Sequence, residues 1–284
     1  MIKKVTDIKE VLDFVWGLGQ NGLYSSYPRK KSIEEVEKEI KAAIHNDNYN
    51  IIASYKDDVL NGVCIYFWVD DGNYAQTTEF LIQEDYEQIA DKFIGYIRKE
   101  LSGFEFLIGV PLTNQDANQY FQKRNIECIE VSTDTRLYNL NEQHNSPNTQ
   151  VERLEENKFE EYTLFHDKHA VPNGMYFVSK NIKKYLNKFR IFVYRQEGEI
   201  HGSIFVQLYE GGAEIFGLFI DEEYKEKSIE SMLIQEMLRE LYEELGSIKE
   251  MIYFIDDNEL DELKAAINAG FRVEDRYRCY KYVF

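Results

Sequence analysis

The chain has 284 residues, enough for one large domain or two ordinary ones, with 44% hydrophobic and 30% charged residues. Four prolines and 16 glycines exclude a disordered or fibrous chain, and a net charge of −18 argues against a nucleic-acid protein, which needs a basic face. No apolar run approaches the roughly 20 residues of a membrane helix, and residues 1–11 lack the apolar stretch of a secretory leader. Cys64, Cys128 and Cys279 are odd in number and outside any CxxC spacing. They read as reduced buried filler, and a cytoplasmic protein is expected.

In chain order, Ser32 begins the first well-marked helix. Glu35, three residues on, completes a capping box, and Ile33, Val36, Ile40 and Ile44 form the apolar stripe. Residues 52–67, IASYKDDVLNGVCIYF, read as strand, tight charged turn and strand. After Tyr86 a helix carries Ile89, Phe93, Ile97 and Leu101 on one face, with Glu87 and no basic residue at its start. Residues 141–150, NEQHNSPNTQ, are polar and aperiodic, and read as a linker. Beyond it, VERL opens a strand and NKFEEYTLFHDKHA a helix; its His166 and His169 lack a third metal ligand and read as surface. RIFVYRQ and IHGSIFVQLY form a hairpin about Glu197-Gly198, beside which His201 reads as structural. A long helix follows, with Ile229, Leu233, Met237, Leu241 and Leu245 on one face and Gly246 at its end. MIYFI is a continuous apolar run, expected as a central buried strand. A helix from about Glu259 is expected to turn Leu260, Leu263 and Ile267 inward, Gly270 to take the left-handed conformation, and YRCYKYVF to close the sheet.

The halves repeat. Gly62 and Gly202 occupy matching hairpins 140 residues apart (202 − 62), FLIQEDY at 80–86 parallels LFIDEEY at 218–224, and residues 104–126 parallel 249–271. Each half reads β-α-α-β-β-β-α-β-α-β-β. The expected domains are 1–140 and 151–284, with the linker at 141–150.

The second half resembles the GNAT superfamily of N-acetyltransferases through EGEIHGSIFV, EIFGLFIDEEYKEKSIESMLIQEML and DDNELDELKAAINAGFRVED, over about its last hundred residues. The first half resembles the same fold more faintly through NQDANQYFQKRNI, where Asn125 and Ile126 replace the family's Gly-Phe. The resemblance implies two pseudo-duplicated α/β (α+β) domains, each a mixed, mostly antiparallel sheet flanked by helices. It also implies an acetyl-CoA-dependent N-acetyltransferase whose active site is in the second domain. Leu218, Phe219 and Ile220 would pair with the coenzyme's pantetheine arm. The turn Lys225, Glu226, Lys227, Ser228, Ile229, Glu230 and Ser231 would receive its pyrophosphate at a helix N-terminus. That turn departs from the family's glycine-rich pattern, and Glu230 would repel a diphosphate if it faced one. Asn258 stands near the family's coenzyme-arm asparagine, or is a helix-start residue beside Asp256 and Asp257. The family's acidic tyrosine is replaced by Ala266 and, in the first half, Phe121; Tyr253, Tyr277 and Tyr280 are the candidate substitutes. Glu214 is the candidate base. No metal is expected. The acceptor is a small-molecule or peptide amine, and the acidic chain leans toward a cationic one. The alternative is a GNAT-fold binding or scaffold protein, or a CoA-binding sensor, that has lost the chemistry.

Overall fold

The computed structural model describes residues 1–142, 147–225 and 227–284. The middle of the expected linker, 143–146, and Glu226 lie outside the described residues. The chain divides into two compact units, Met1–Val131 with Asp275–Phe284, and Ser132–Glu274.

The first unit carries β1 (Ile2–Lys4), α1 (Leu12–Gly19), α2 (Ile33–His45), β2 (Tyr49–Lys56), β3 (Val59–Val69), β4 (Tyr74–Ile82), α3 (Tyr86–Glu100), β5 (Glu105–Pro111) and α4 (Gln115–Lys123). β6 (Glu127–Tyr138) runs on into the second unit. There follow β7 (Val151–Arg153), α5 (Phe159–Ala170), α6 (Ser179–Lys184), β8 (Phe189–Gln196), β9 (Glu199–Tyr209), β10 (Gly212–Ile220), α7 (Ile229–Leu245), β11 (Glu250–Asp256) and α8 (Leu260–Asn268). Most of β12 (Arg272–Val283) belongs to the first unit.

Each sheet is mixed and mostly antiparallel. In the first unit the order is β1-β2-β3-β4-β5-β12, and only β4 and β5 run parallel. In the second it is β7-β8-β9-β10-β11-β6, and only β10 and β11 run parallel. Helices cover both faces. In the first unit α3 lays Ile89, Phe93 and Ile97 against Phe80 and Phe106, while α2 lays Val36 and Ile40 against Ile51 and Ile65 on the other side. In the second, Leu233, Met237 and Leu241 of α7 meet Ile215 and Tyr253, and Phe159 and Tyr162 of α5 meet Val193 and Phe205.

The compact units differ from the sequence halves 1–140 and 151–284. β6, from the first half, pairs with β11 between Ser132↔Asp256 and Tyr138↔Glu250. β12, from the second half, pairs with β5 between Tyr277↔Pro111 and Val283↔Glu105. YRCYKYVF therefore closes the first unit's sheet. The parallel strand of each unit would otherwise present a bare edge, and a strand from the other half covers it. Hydrophobic periodicity identifies a strand but not its partner.

Much of the local reading holds. Ser32 Oγ accepts the Glu35 amide at 3.2 Å, Asn125 takes φ 52°, and Gly270 φ 103°. α8 departs from expectation: Ala265 and Ala266 are buried, whereas Leu260 and Ile267 are 60% and 47% exposed and Leu263 is half-buried. Ala265 and Ala266 bring this helix close to α7, in the same core cluster, so its larger residues point outward. The repeat extends to packing distances. A Cβ on Gly62 would lie 3.1 Å from Ile89 Cγ2, and one on Gly202 3.0 Å from Ile229 Cγ2. In both units a helix rests directly on a bare hairpin backbone.

Gly202→Ala is therefore expected to destabilise the protein by about 1–3 kcal/mol. Gly95→Ala, mid-helix with nothing within 4 Å, should stabilise it by about 0.5–1 kcal/mol; denaturant midpoints check both. Two separately expressed chains, 1–142 and 147–284, should co-purify, because each holds a strand of the other's unit; recovery of either as a folded fragment without the other would contradict the exchange.

Candidate active site

The β9–β10 register slips between Ile215↔Val206 and Gly217↔Phe205, leaving Phe216 as an extra residue. A bulge of this kind bends its strand. The parallel pairing of β10 with β11 covers only Gly212↔Glu250 to Ile215↔Tyr253, while β11 continues along β6 as far as Asp256. Beyond the bulge the two strands part. Leu218, Phe219 and Ile220 form one side of this gap. Leu218 and Ile220 face the α7–α8 core, and Phe219 faces α5 with Phe216. Glu214 lies in the paired part of β10, two residues before the bulge, opposite Gln207 and Ile252. It is half-buried, and strand alternation from Ala213 and Ile215 turns it to the α5 side.

The turn after β10 leads to the N-terminus of α7. Ser228 sits there at φ 58°, left-handed, and its own side chain makes no cap hydrogen bond. Among the described residues, no side chain accepts from the first-turn amides of Ile229, Glu230 and Ser231, an arrangement that attracts an anion. Ile229 is buried, and Glu230 and Ser231 are half-buried. Both described lysines of the turn are engaged locally. Lys225 pairs with Glu222 at 3.0 Å, and Lys227 Nζ stands 3.8 Å over the Tyr224 ring. Exposed pairs are worth ~0–1 kcal/mol, so Lys225 would yield readily to a stronger anion. Glu226 lies outside the described residues. Asn258 is turned back on Asp256, donating both its backbone N–H and Nδ2 to Oδ1 at 2.8 and 2.9 Å.

One feature at this end carried no sequence signal. Tyr253 donates to Glu262 Oε1 at 2.5 Å. Burial, with Glu259, Glu230 and Asp256 nearby, pushes the Glu262 carboxyl up to about 8, against the Tyr253 hydrogen bond. Burial and Glu262 raise the Tyr253 phenol well above its usual range, so it remains protonated. Ala266 is fully buried. Tyr277 and Tyr280 belong to the first unit, where Tyr280 donates to Asn118 Oδ1 at 2.9 Å.

The α5 side is held by histidines rather than left as a surface. His166 is fully buried; Tyr162 Oη and His166 Nδ1 are 2.8 Å apart, and Nε2 donates to the Phe177 carbonyl at 2.7 Å. Burial lowers its pKa, so it is neutral. It pins the 171–178 loop, whose Phe177 ring packs edge-on against Phe216 at 4.6 Å. His169 and His201 both contact Asp221, at 3.3 and 3.1 Å, with Lys168 at 2.7 Å. Among the described residues no group of three or more His, Cys, Asp or Glu is placed to hold a metal, and no helix is long and apolar enough to cross a membrane.

No family model matches the sequence, and no curated protein matches it. Solved structures do. A GCN5-related N-acetyltransferase from Sphaerobacter thermophilus is 11% identical, with a TM-score of 0.69 over 99% of this chain and 95% of that one. A tandem GNAT protein from the clavulanic acid biosynthesis pathway is 10% identical, with a TM-score of 0.54 over 100% and 98%. A putative acetyltransferase from Pyrococcus horikoshii is 14% identical, with a TM-score of 0.55 over 100% and 89%. The fold is that of a tandem GNAT protein.

The first unit repeats the bulge. β3 pairs Ile65↔Glu79 and then Tyr66↔Thr77, so Thr78 is the extra residue, and β4–β5 pairing stops at Gln76↔Leu107. α3 likewise starts from a left-handed residue, Asp85 at φ 54°, with no side-chain cap.

The raised Glu262 pKa fixes a pH dependence. The folded state holds this proton more tightly than the unfolded chain, so stability falls as pH climbs from about 4.5 to about 8, then levels. Glu262→Gln should flatten this limb, raising Tm relative to wild type at pH 9 with little change at pH 4; parallel melting curves at both pH values check it.

Proposed function

We propose that the second unit is an acetyl-CoA-dependent N-acetyltransferase domain acting on a primary amine, and that the first unit is a degenerate copy. The observation that carries this reading is the gap beyond the Phe216 bulge, which opens beside the uncapped first turn of α7. An extended, amide-bearing arm can hydrogen-bond to a strand edge, and a diphosphate can accept from helix-start amides. Leu218, Phe219 and Ile220 suit the first task. Lys225, Lys227, Ser228 and the amides of Ile229, Glu230 and Ser231 suit the second. Glu230 lies close enough to Tyr253 and Glu262 to perturb both, which favours a carboxylate set toward α8.

Acetyl-CoA would supply an activated acyl group. The chain's own contribution is to orient an amine from the α5 side and accept its proton, for which Glu214 is the nearest carboxylate on β10. A cationic acceptor suits the acidic chain. The three cysteines form no disulfide, which supports a cytoplasmic location.

Calorimetric titration with acetyl-CoA should show one site per chain at micromolar strength. Lys225→Ala should weaken it several-fold, more at low salt than at high, and Glu230→Gly should tighten it. No binding at millimolar coenzyme would overturn the reading in favour of a GNAT-fold binding or scaffold protein.

A further inference from the structure

The gap of the first unit is bridged by its own chain. Between α1 and α2, residues 22–29 form a strap. Ser26 Oγ accepts the Phe80 amide of β4 at 2.9 Å, and the Tyr27 amide donates to the Gly109 carbonyl of β5 at 3.0 Å. One short segment thus satisfies a donor on one parted strand and an acceptor on the other. We propose that this strap is an internal ligand that holds the first unit's cleft shut, so that an outside ligand enters only the cleft of the second unit.

The anchoring is extensive. Asn114 Nδ2 donates to the Ser25 carbonyl at 3.0 Å, and Thr113 Oγ1 to the Gly22 carbonyl at 2.9 Å. Arg29 pairs with Asp275 at 2.7 Å, and the Tyr27 ring meets Tyr277 edge-on at 4.8 Å. Ser25 and Ser26, the middle of the strap, are 0% and 1% exposed, while Leu23 and Arg29 toward its ends are exposed. Beneath it, Ser26 Oγ donates to Glu79 Oε2 at 3.1 Å. Burial pushes Glu79 up to about 8, with Lys30 opposing and Glu39 adding to the shift, so at neutral pH it is largely protonated and places little charge under the strap. Removing the strap would strand the Phe80 amide, the Gly109 carbonyl and this carboxyl without partners.

The corresponding loop of the second unit behaves differently. Residues 171–178 are tied to α5, through the Met175 amide to the Ala170 carbonyl and through His166 to Phe177. The loop packs over the Phe216 bulge. The anion end differs as well. The α3 start in the first unit opens on a cavity lined by Asp85, Glu87 and Asp116, and its Lys123 is already paired with Glu87 at 2.7 Å.

The test is residue-resolved hydrogen exchange on the full chain, with and without acetyl-CoA. In the free protein, the Tyr27 and Phe80 amides should exchange as slowly as interior β3 amides, and millimolar acetyl-CoA should leave both unchanged. Ser26→Ala should speed Phe80 exchange about tenfold, for loss of one buried hydrogen bond. Loop-like exchange at these amides in the free protein, a change at either on adding coenzyme, or two coenzymes bound per chain would overturn the proposal. Slow exchange at both with no coenzyme bound anywhere would uphold the strap and sink the acetyltransferase reading, so the two fail separately.

Discussion

The bulges at Thr78 and Phe216 bend β4 and β10 away from their parallel neighbours, and each unit is organised around the backbone groups so released. A buried strand edge cannot stay unsatisfied without a cost comparable to a lost hydrogen bond per group. The first unit meets that demand internally, with Ser26 and Tyr27. In the second unit the loop of matching position is tied to α5 by His166, and its Phe177 packs on the bulge residue Phe216. The same local irregularity thus yields a sealed core in one copy and a cleft in the other, and what differs is where the α-helical connection is tied down.

The electrostatics of the two helix starts sharpen this difference. Both α3 and α7 begin from a left-handed residue with no side-chain cap, so both present a partial positive charge. In the first unit Asp85, Glu87 and Asp116 line the cavity at that start, with Lys56 on Asp85 and Lys123 on Glu87. In the second, burial first, and then the neighbouring Glu259, Glu230 and Asp256, keep the proton on Glu262 to about pH 8. Protonated Glu262 lowers the negative potential at the very end of the unit where an anion would approach α7.

Secondary structure and the duplication were legible in the sequence because they are local or periodic. The Ser32 cap, the α7 stripe, the hairpin glycines and the left-handed Asn125 each depend on a few neighbouring residues. The site was legible only as far as its elements: the turn after β10 and the start of α7 are where the resemblance puts them. The bulge, the Tyr253–Glu262 contact and the buried His166 depend on which strand faces which helix, and no spacing encodes that. α8 shows the same limit from the other side. Leu260, Leu263 and Ile267 make a better apolar stripe than Ala265 and Ala266, yet close approach to α7 selects the alanines.

The exchanged strands bear on function as well as on stability. A tyrosine near the C-terminus belongs, by position in the chain, to the half that holds the candidate site. By fold it belongs to the other unit: Tyr277 packs on the strap and Tyr280 donates to Asn118 at 2.9 Å. What the second unit receives in return is β6, whose Thr135 hydroxyl bonds the Tyr253 carbonyl and whose Arg136 joins Asp134 to Glu250. β11 is therefore held on its far edge by a strand made before the linker, and on its near edge by only the first four residues of β10. That asymmetry keeps β11 straight while β10 bends, and it is the bend of one strand against a fixed neighbour that opens the cleft.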